Sequence, residues 1–304
     1  MTKLQRTLAL GIAAAVAVFA LAFLYGNVSD PWKRAGLPRP GAPFQPAFDV
    51  TFESAESMAV VFDAAGYRLA AVRSGKAEVP PFQLRKLPAD FSGTENAAER
   101  KRLFIRSVLP LVLQVNKHIE KQRAALLRLL RKQQRGEKPT EREADWLKQI
   151  ALLYRVKPEQ TAELRRRIVP IPPALALAQA AAESGWGTSR FALKGNALFG
   201  QWTFVEGEGI KPREAKPGSR HAVKSYRRLI GSAWDYARNI NSNPAYRELR
   251  IARARGADTG LALAAHLQRY SERGMDYVDL LKTIIQQNGL ALLNKAKLAN
   301  DLPD

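Results

Sequence analysis

Cysteine is absent from this chain of 304 residues, and histidine is scarce. The absence of cysteine excludes disulfide bridges, thiolate metal sites and a cysteine nucleophile. The three histidines, His118, His221 and His266, lie far apart and lack the spacing of metal ligands. The sequence also lacks a phosphate-binding Gly-rich loop and a Gly-x-Ser-x-Gly motif. We therefore predict that the protein works without a metal or a cofactor.

Acidic residues are few relative to basic ones, at 28 against 48, which gives a net charge of +20. Such an excess attracts polyanions: nucleic acid, anionic membrane surfaces or acidic cell-wall polymers. Part of the excess is concentrated between Arg100 and Arg135, where 11 Lys or Arg residues accompany one acid, Glu120. This stretch has helical spacing of apolar residues. Its basic face is either an ordinary solvated surface or a contact surface for anionic lipid or wall polymer.

The N-terminus indicates export. Lys3 and Arg6 precede an uncharged run of 18 residues, Leu8–Tyr25. As a helix this run is about 27 Å long, close to the hydrocarbon thickness of a bilayer. We predict a single-pass anchor in the inner membrane with the rest of the chain in the periplasm. Ala20 and Ala22 leave a cleaved signal peptide, and thus a periplasmic or secreted form, as the alternative. Export makes nucleic acid an unexpected partner.

Composition divides the chain into five parts. They are a signal-anchor segment (1–30), a Pro-rich linker (31–47), a small appended segment (48–97), a basic helical region (98–165) and a helical domain rich in Gly and aromatic residues (166–304). In the appended segment, "MAVVFDAAGYRLAAV" is compatible with two short strands around Gly66. The predicted fold class is mainly α, with a short β insertion between residues 200 and 225.

A lone glutamate ends an apolar helix in "ALALAQAAAESGWG". Pro172 and Pro173 suit the first turn of this helix, and Gly185 suits the position after its end. Glu183 therefore lies in the last turn, where the helix dipole disfavours negative charge and burial favours the neutral acid. A glutamate that keeps its proton near neutral pH has the property that a general acid needs. The alternative is a surface glutamate at a frayed helix end.

Aromatic residues follow this glutamate closely. Trp186 comes directly after Gly185, and Phe199 and Trp202 lie in "NALFGQWTF". Flat aromatic rings beside glycines can form a groove that packs against sugar rings. Core packing is the alternative for each ring taken singly.

The stretch "ALAQAAAESGWGTSRFALKGNALFGQWTF" resembles the signature of the bacterial peptidoglycan glucosaminidases, glycoside hydrolase family 73. The resemblance is greatest to the Bax-type branch, which the flagellar rod-associated peptidoglycan hydrolase also resembles in fold. Three further stretches, "LFIRSVLPLVLQVNKHI", "HAVKSYRRLIGSAWDYARNINSNPAYRELR" and "LAAHLQRYSERGMDYVDLLKTIIQQNGL", extend the match to about residues 98–292. Ala197 departs from the pattern, since asparagine is expected there.

The resemblance implies a lysozyme-like fold over residues 166–304. A helical lobe and a small β-hairpin lobe would enclose a groove for peptidoglycan glycan strands. It implies an endo-β-N-acetylglucosaminidase that cleaves β-1,4 bonds, with Glu183 as the general acid. The residues expected to bind the glycan are Ser184, Trp186, Asn196, Phe199, Trp202, Tyr246 and Tyr270.

The second catalytic group is left open by the sequence. A glycosidase with two carboxylates needs one on each side of the scissile bond, and Glu208, then Glu206, are the first candidates in "FVEGEGI". Glu214 is a further candidate, whereas Asp235 and Glu272 are expected to be charges on helix faces. Each loop glutamate can equally be a solvent-facing charge. Assistance by the N-acetyl group of the substrate would remove the need for a second carboxylate.

Two other functions remain alternatives. Lytic transglycosylases share the Glu-Ser pair of Glu183 and Ser184, but usually continue with a Gly-Leu-Met-Gln type loop, where this chain has "NALFGQW". An inactive wall-binding scaffold on the same fold is the other alternative. For any of these functions, the net positive charge is expected to hold the protein against anionic envelope surfaces.

Overall fold

The computed structural model describes residues 32, 35–41, 49–213 and 221–300. The predicted anchor Leu8–Tyr25, most of the predicted linker and the candidate Glu214 lie outside these residues. Among the helices that the structure describes, none has the length and apolar character needed to span a membrane. The predicted anchor stays a prediction.

The described chain is mainly helical, as the sequence predicts. In chain order its α-helices are α1 (Ala55–Ala64), α2 (Leu69–Arg73), α3 (Ala97–Gln134), α4 (Glu141–Leu153), α5 (Thr161–Arg167), α6 (Pro173–Ser184), α7 (Arg190–Gly195), α8 (Leu229–Ser242), α9 (Arg247–Ala254), α10 (Gly260–Ala264) and α11 (Met275–Gln287). Short 3-10 helices occupy Phe91–Gly93, Pro244–Tyr246 and Leu290–Lys295.

The strands form two small sheets. β1 (Asp49–Val50) pairs in parallel with β2 (Gln83–Leu84). β3 (Trp202–Thr203), β4 (Gly209–Ile210) and β5 (Ala222–Lys224) form an antiparallel sheet in the order β3-β5-β4. The predicted β-lobe between residues 200 and 225 is confirmed. It is a three-stranded sheet with the last strand in the centre, rather than a simple hairpin.

The appended segment differs from its prediction, since the stretch around Gly66 forms helices α1 and α2 instead of two strands. Ser54 and Ser57 form a capping box at the start of α1. Met58 and Phe62 are fully buried on one face of that helix. Their spacing of four residues, which is the helical period, outweighs the strand preference of the valines between them.

Helix α3 is the longest element of the described chain, with 38 residues. Asn96 accepts hydrogen bonds from the backbone N–H groups of Ala98 and Glu99 and so caps its start. The helix continues through Pro110, which removes one backbone donor. All residues from Leu103 to Leu113 are buried, so tertiary packing holds the helix together at this point.

The hydrophobic core contains residues from Leu37 to Leu293, and therefore includes the appended segment and the helical domain. Helix α6 lies in its middle and packs against α3, α11 and the 3-10 helix Leu290–Lys295. Its residues from Pro173 to Ala181 are all buried. Because α6 is held on all sides, its last turn has a fixed position in the fold.

Candidate active site

The end of helix α6 is a tight turn built by Ser184. Its hydroxyl donates to the carbonyl of Ala180 at 2.6 Å and accepts from the N–H of Gly187 at 2.9 Å. The helix ends at Gly185 with φ 59°, and Gly187 also has a positive φ of 82°. Ser184 itself is fully buried. The structure thus gives this residue, which we expected in the groove, a role in shaping the turn beside Glu183.

Glu183 faces a cleft of about 540 Å³. Gly200, with φ 60°, lies against its carboxyl group, and a Cβ atom at that position would be 3.3 Å from Glu183 Oε2. The glycine therefore serves two purposes, since it adopts the left-handed backbone and leaves room for the carboxyl group. The predicted position of Glu183 in the last turn of an apolar helix is confirmed.

Burial raises the pKa of the Glu183 carboxyl, and a hydrogen bond from the Tyr277 hydroxyl lowers it by a smaller amount. Among the described residues no cation forms an ion pair with Glu183. A desolvated carboxyl group without a cationic partner favours the protonated form. The direction of this pKa shift is the one that the sequence predicts.

Tyr277 belongs to a buried polar network that the sequence analysis missed. Gln179, one turn before Glu183 on α6, donates from Nε2 to the Tyr277 hydroxyl at 3.1 Å. Tyr236 of α8 donates to Gln179 Oε1 at 2.7 Å. All three side chains are almost completely buried. The network fixes the Tyr277 hydroxyl, and through it the Glu183 carboxyl group.

The aromatic wall beside Glu183 consists of Phe199, Tyr246 and Tyr270, which were all predicted for the groove. The Tyr270 hydroxyl donates to the carbonyl of Phe199 at 3.0 Å. The Tyr270 ring lies 5.8 Å from the Tyr246 ring and is parallel to the Tyr277 ring at 5.6 Å. Tyr246 is hydrogen-bonded to Asn239, and burial raises its pKa to about 12. These rings form a stiff neutral surface.

Trp186 and Asn196 lie outside the residues that line this cleft. Trp186 has φ 57° and packs edge-on against Phe104 of α3, with ring centroids 5.8 Å apart. Asn196 ends α7 with φ 54° and donates to the carbonyl of Tyr226 at 2.9 Å. In this structure Trp186 therefore packs against α3 and Asn196 binds the backbone of Tyr226, away from the cleft wall.

The β-lobe contributes exposed aromatic residues to the cleft. Trp202 is 54% exposed and Phe204 is 75% exposed, although both line the cleft. The Trp202 ring lies 4.9 Å from the imidazole of His221. Large apolar side chains left in solvent at a cleft are typical of ligand-binding surfaces. The predicted position of Trp202 in the groove is confirmed.

Glu206 and Glu208 are exposed in the loop between β3 and β4, and neither lines the cleft. Glu208 is the closer of the two, because its carboxylate accepts a hydrogen bond of 3.4 Å from Thr203, a residue of the cleft wall. Glu272 lies in an exposed turn rather than on a helix face.

Asp235 lies on helix α8, as expected, and is also part of the cleft wall, which the sequence did not indicate. Its carboxylate accepts from Lys224 Nζ at 2.7 Å and from the Tyr226 hydroxyl at 3.3 Å. Arg238 approaches it at 3.4 Å. Lys224, Tyr226 and Arg238 therefore surround the Asp235 carboxylate, whereas Glu183 lacks a cationic partner among the described residues.

Arg155 is a further cleft residue that the sequence did not indicate. It lines the cleft from the end of α4, with φ 55°. A positive φ is uncommon for a residue with a side chain, and such backbone is found preferentially at functional sites. The positive φ becomes visible only in the folded chain.

Comparison with known proteins now defines the family. Residues 159–290 match the family model of the glucosaminidases, described as mannosyl-glycoprotein endo-beta-N-acetylglucosaminidase. Over 220 residues the chain is 36% identical to Protein bax of Escherichia coli (strain K12). The aligned region covers 67% of this chain and 73% of that protein. The chain belongs to the Bax-type glucosaminidase-domain proteins. No solved structure matches it significantly.

The glucosaminidase match covers Glu183, its network partners and nearly all of the cleft, with the exception of Arg155. The family domain is that of a glycoside hydrolase-type enzyme. The appended segment and helix α3 lie outside this match.

Proposed function

We propose that the chain is a peptidoglycan hydrolase of the endo-β-N-acetylglucosaminidase type, with Glu183 as the general acid. The observation that carries this proposal is the state of Glu183, a partly buried carboxyl group that faces a cleft and lacks an ion pair among the described residues. A general acid must hold its proton at the working pH and must reach the leaving group. Membership of the glucosaminidase family supports the same chemistry.

In the proposed reaction, Glu183 donates its proton to the oxygen of the β-1,4 glycosidic bond as that bond breaks. Water then supplies the hydroxyl group that bonds to the anomeric carbon and the proton that restores Glu183. The hydrogen bond from Tyr277 orients the carboxyl group and stabilises the carboxylate left after proton transfer. Gly200 keeps the space next to Glu183 open. Trp202 and Tyr246 are placed to contact the apolar faces of the sugars.

The group that stabilises the opposite side of the sugar is proposed to be Glu208, since its contact with Thr203 keeps it beside the cleft. Flanking glycines, Gly207 and Gly209, would let the loop move toward a bound glycan. Asp235 is less suited, because its carboxylate is already held by Lys224 and Tyr226. If the N-acetyl group of the substrate takes part in the reaction instead, neither Glu208 nor Asp235 is needed.

A lytic transglycosylase reaction is the second candidate, because Glu183 is the cleft carboxyl group without an ion pair in the described chain. One such group is enough for an enzyme that uses its glutamate first as acid and then as base. Mass spectrometry of the fragments released from purified sacculi separates the two reactions. Reducing ends support hydrolysis, and 1,6-anhydro ends at muramic acid overturn it.

The direct test of the proposed function is clearing of purified sacculi by the wild-type protein and by Glu183→Gln. Loss of the acid should lower the rate about 100-fold or more, the usual contribution of acid catalysis. Glu272→Gln is the matched control, since it removes an exposed carboxylate outside the cleft. Equal clearing by Glu183→Gln removes Glu183 as the acid, and no clearing by the wild type supports the scaffold alternative.

We also propose that Leu8–Tyr25 anchors the protein in the inner membrane with the domain in the periplasm. The support is the sequence alone: an uncharged run preceded by Lys3 and Arg6. This arrangement brings the domain to the wall, and the net charge of +20 favours contact with anionic envelope surfaces. Recovery of the protein in the soluble periplasmic fraction, shortened after Ala22, would instead show a cleaved signal peptide.

A further inference from the structure

A second cleft of about 870 Å³ lies away from Glu183. It forms where α1, α2 and the first half of α3 meet the turn after α11. Its charged lining is strongly unbalanced, with five cations and one carboxylate: Arg68, Arg73, Lys101, Arg102, Arg106 and Asp63. Like charges gathered in one concave surface repel each other, so such a cleft favours an anionic ligand.

Arg106 places a largely buried positive charge at this cleft. Its side chain is 2% exposed, and Nη2 binds Asp63 Oδ1 at 2.6 Å. Its guanidinium also lies over the ring of Phe62, 4.9 Å from the centroid. The Nε atom is buried without a hydrogen-bond partner among the described residues, so it is closed to the cleft. Arg106 therefore adds positive charge to the cleft rather than a free donor.

Arg73, also in the cleft lining, likewise has a fixed guanidinium group and a buried Nε atom. Its Nη2 donates to the carbonyl of Asn288 at 2.9 Å, which fixes the guanidinium against the turn after α11. Its Nε atom is also buried and, within the part of the chain that the structure describes, unpartnered. Two fixed guanidinium groups thus add positive charge to the cleft, while the side chains of Arg68 and Arg102 are exposed there.

The geometry points to a binding site for a peptide that carries several carboxylates. The cleft already contains one arginine–carboxylate pair, because Arg106 binds the carboxylate of Asp63. Guanidinium groups present paired donors that match the two oxygens of a carboxylate. Ile105 and the exposed Leu292 supply apolar surface for the carbon part of such a ligand.

The ligand we propose is the carboxylate-bearing peptide attached to the glycan strands of the wall. The choice of this peptide as the ligand rests on the proposed function. The positive charge of the cleft is observed independently of it. A site for the peptide, separate from the site for the glycan, would let the chain recognise strands by their substitution. Lys101 lies in this cleft and also over the ring of Trp186, at 5.1 Å from its centroid, so the second cleft adjoins the turn that follows Glu183.

The experiment is a fluorescence-anisotropy titration of the full-length protein with a labelled stem peptide released from purified peptidoglycan. The comparison ligands are the same peptide with its carboxylates converted to amides, inorganic phosphate and phosphatidylglycerol vesicles. We expect the amidated peptide to bind about tenfold more weakly or worse, because each charge-assisted hydrogen bond is lost. Equal binding of the two peptides overturns the proposal, as does stronger competition by phosphate or by vesicles than by the unlabelled peptide.

The variant Arg68→Gln/Arg102→Gln tests the location. Both side chains are exposed, and the pair that Arg102 forms with Glu99 is a surface pair of small energy, so the fold should persist. Arg131→Gln, an exposed arginine farther along the same helix, is the matched control. The double variant should bind the peptide about tenfold more weakly and the control should bind normally, with unchanged melting temperatures. An equal loss in both variants overturns the location.

The peptide probe contains no glycosidic bond, so this result is independent of catalysis. Peptide binding without clearing of sacculi would retain the site and remove the proposed function. Clearing of sacculi without any peptide binding would retain the proposed function and remove the peptide site.

Discussion

The hydroxyl of Tyr277 donates a hydrogen bond to the carboxyl group of Glu183, from α11 to the last turn of α6. The same hydroxyl accepts from Gln179 at 3.1 Å, so its proton is directed toward the glutamate. This contact lowers the pKa of Glu183, while burial raises it by more. The balance between these two effects sets the pH at which the proposed acid loses its proton.

Tyr277→Phe should move the alkaline limb of the activity profile to higher pH. The substitution removes the hydrogen bond that lowers the pKa of Glu183, so the acid stays protonated over a wider range. The measurement is the pH dependence of the rate of sacculus hydrolysis. Tyr270→Phe is the control, because its hydroxyl donates to Phe199 instead. A shift to lower pH in Tyr277→Phe would contradict the assignment.

Glu183→Gln should be more stable than the wild type at alkaline pH. Burial raises the pKa of Glu183 in the folded state above that of the unfolded chain, so proton binding favours folding. This contribution is complete below the unfolded pKa and is lost as the pH rises through the folded pKa. In thermal unfolding from about pH 4 to about pH 8, the melting temperature of the variant should rise relative to that of the wild type as the pH rises. A constant difference would contradict the raised pKa.

Gly200→Ala should lower activity more than Gly66→Ala. Both glycines have positive φ, so the backbone strain is similar, at about 1 kcal/mol. A Cβ atom at Gly200 meets the Glu183 carboxyl group at 3.3 Å, whereas one at Gly66 has no neighbour within 4 Å among the described residues. The measurement is the rate of sacculus hydrolysis beside the melting temperature. Equal activities would show that the space beside Glu183 does not matter.

Glu208→Gln should lower the rate about tenfold or more, and Glu206→Gln should leave it nearly unchanged. Glu208 contacts Thr203 at the cleft, and both glutamates are exposed, so neither substitution should affect the fold. The comparison uses the rates of both variants on the same sacculi. If both variants keep full activity, Glu208 is excluded and assistance by the N-acetyl group is favoured.

The sequence predicts helix α6 well because its signals are local. Gly185 ends α6 in the left-handed conformation, and the small residues before it are buried as expected. Tyr277 and Tyr236 were missed because they reach Glu183 and Gln179 only through tertiary packing. Gln179 carried a partial signal, since a polar residue one turn before Glu183 lies on the same helix face.

Other failures of the sequence analysis have similar causes. The place of Asp235 in the cleft wall was missed because no short-range pattern indicates that Lys224 of the β-lobe pairs with it. The strands predicted around Gly66 reflect β-branched residues, and the structure shows helices stabilised by burial of Met58 and Phe62. Trp186 was expected in the groove because it is an aromatic residue beside glycines, yet its ring packs against Phe104 of α3.

The most direct test of the central claim is the rate at which new reducing ends form when purified sacculi are treated with the wild-type protein and with Glu183→Gln. We predict steady release of fragments with N-acetylglucosamine at the reducing end by the wild type, and a rate lower by about 100-fold or more for the variant. Release of such fragments by Glu183→Gln at the wild-type rate would contradict the account.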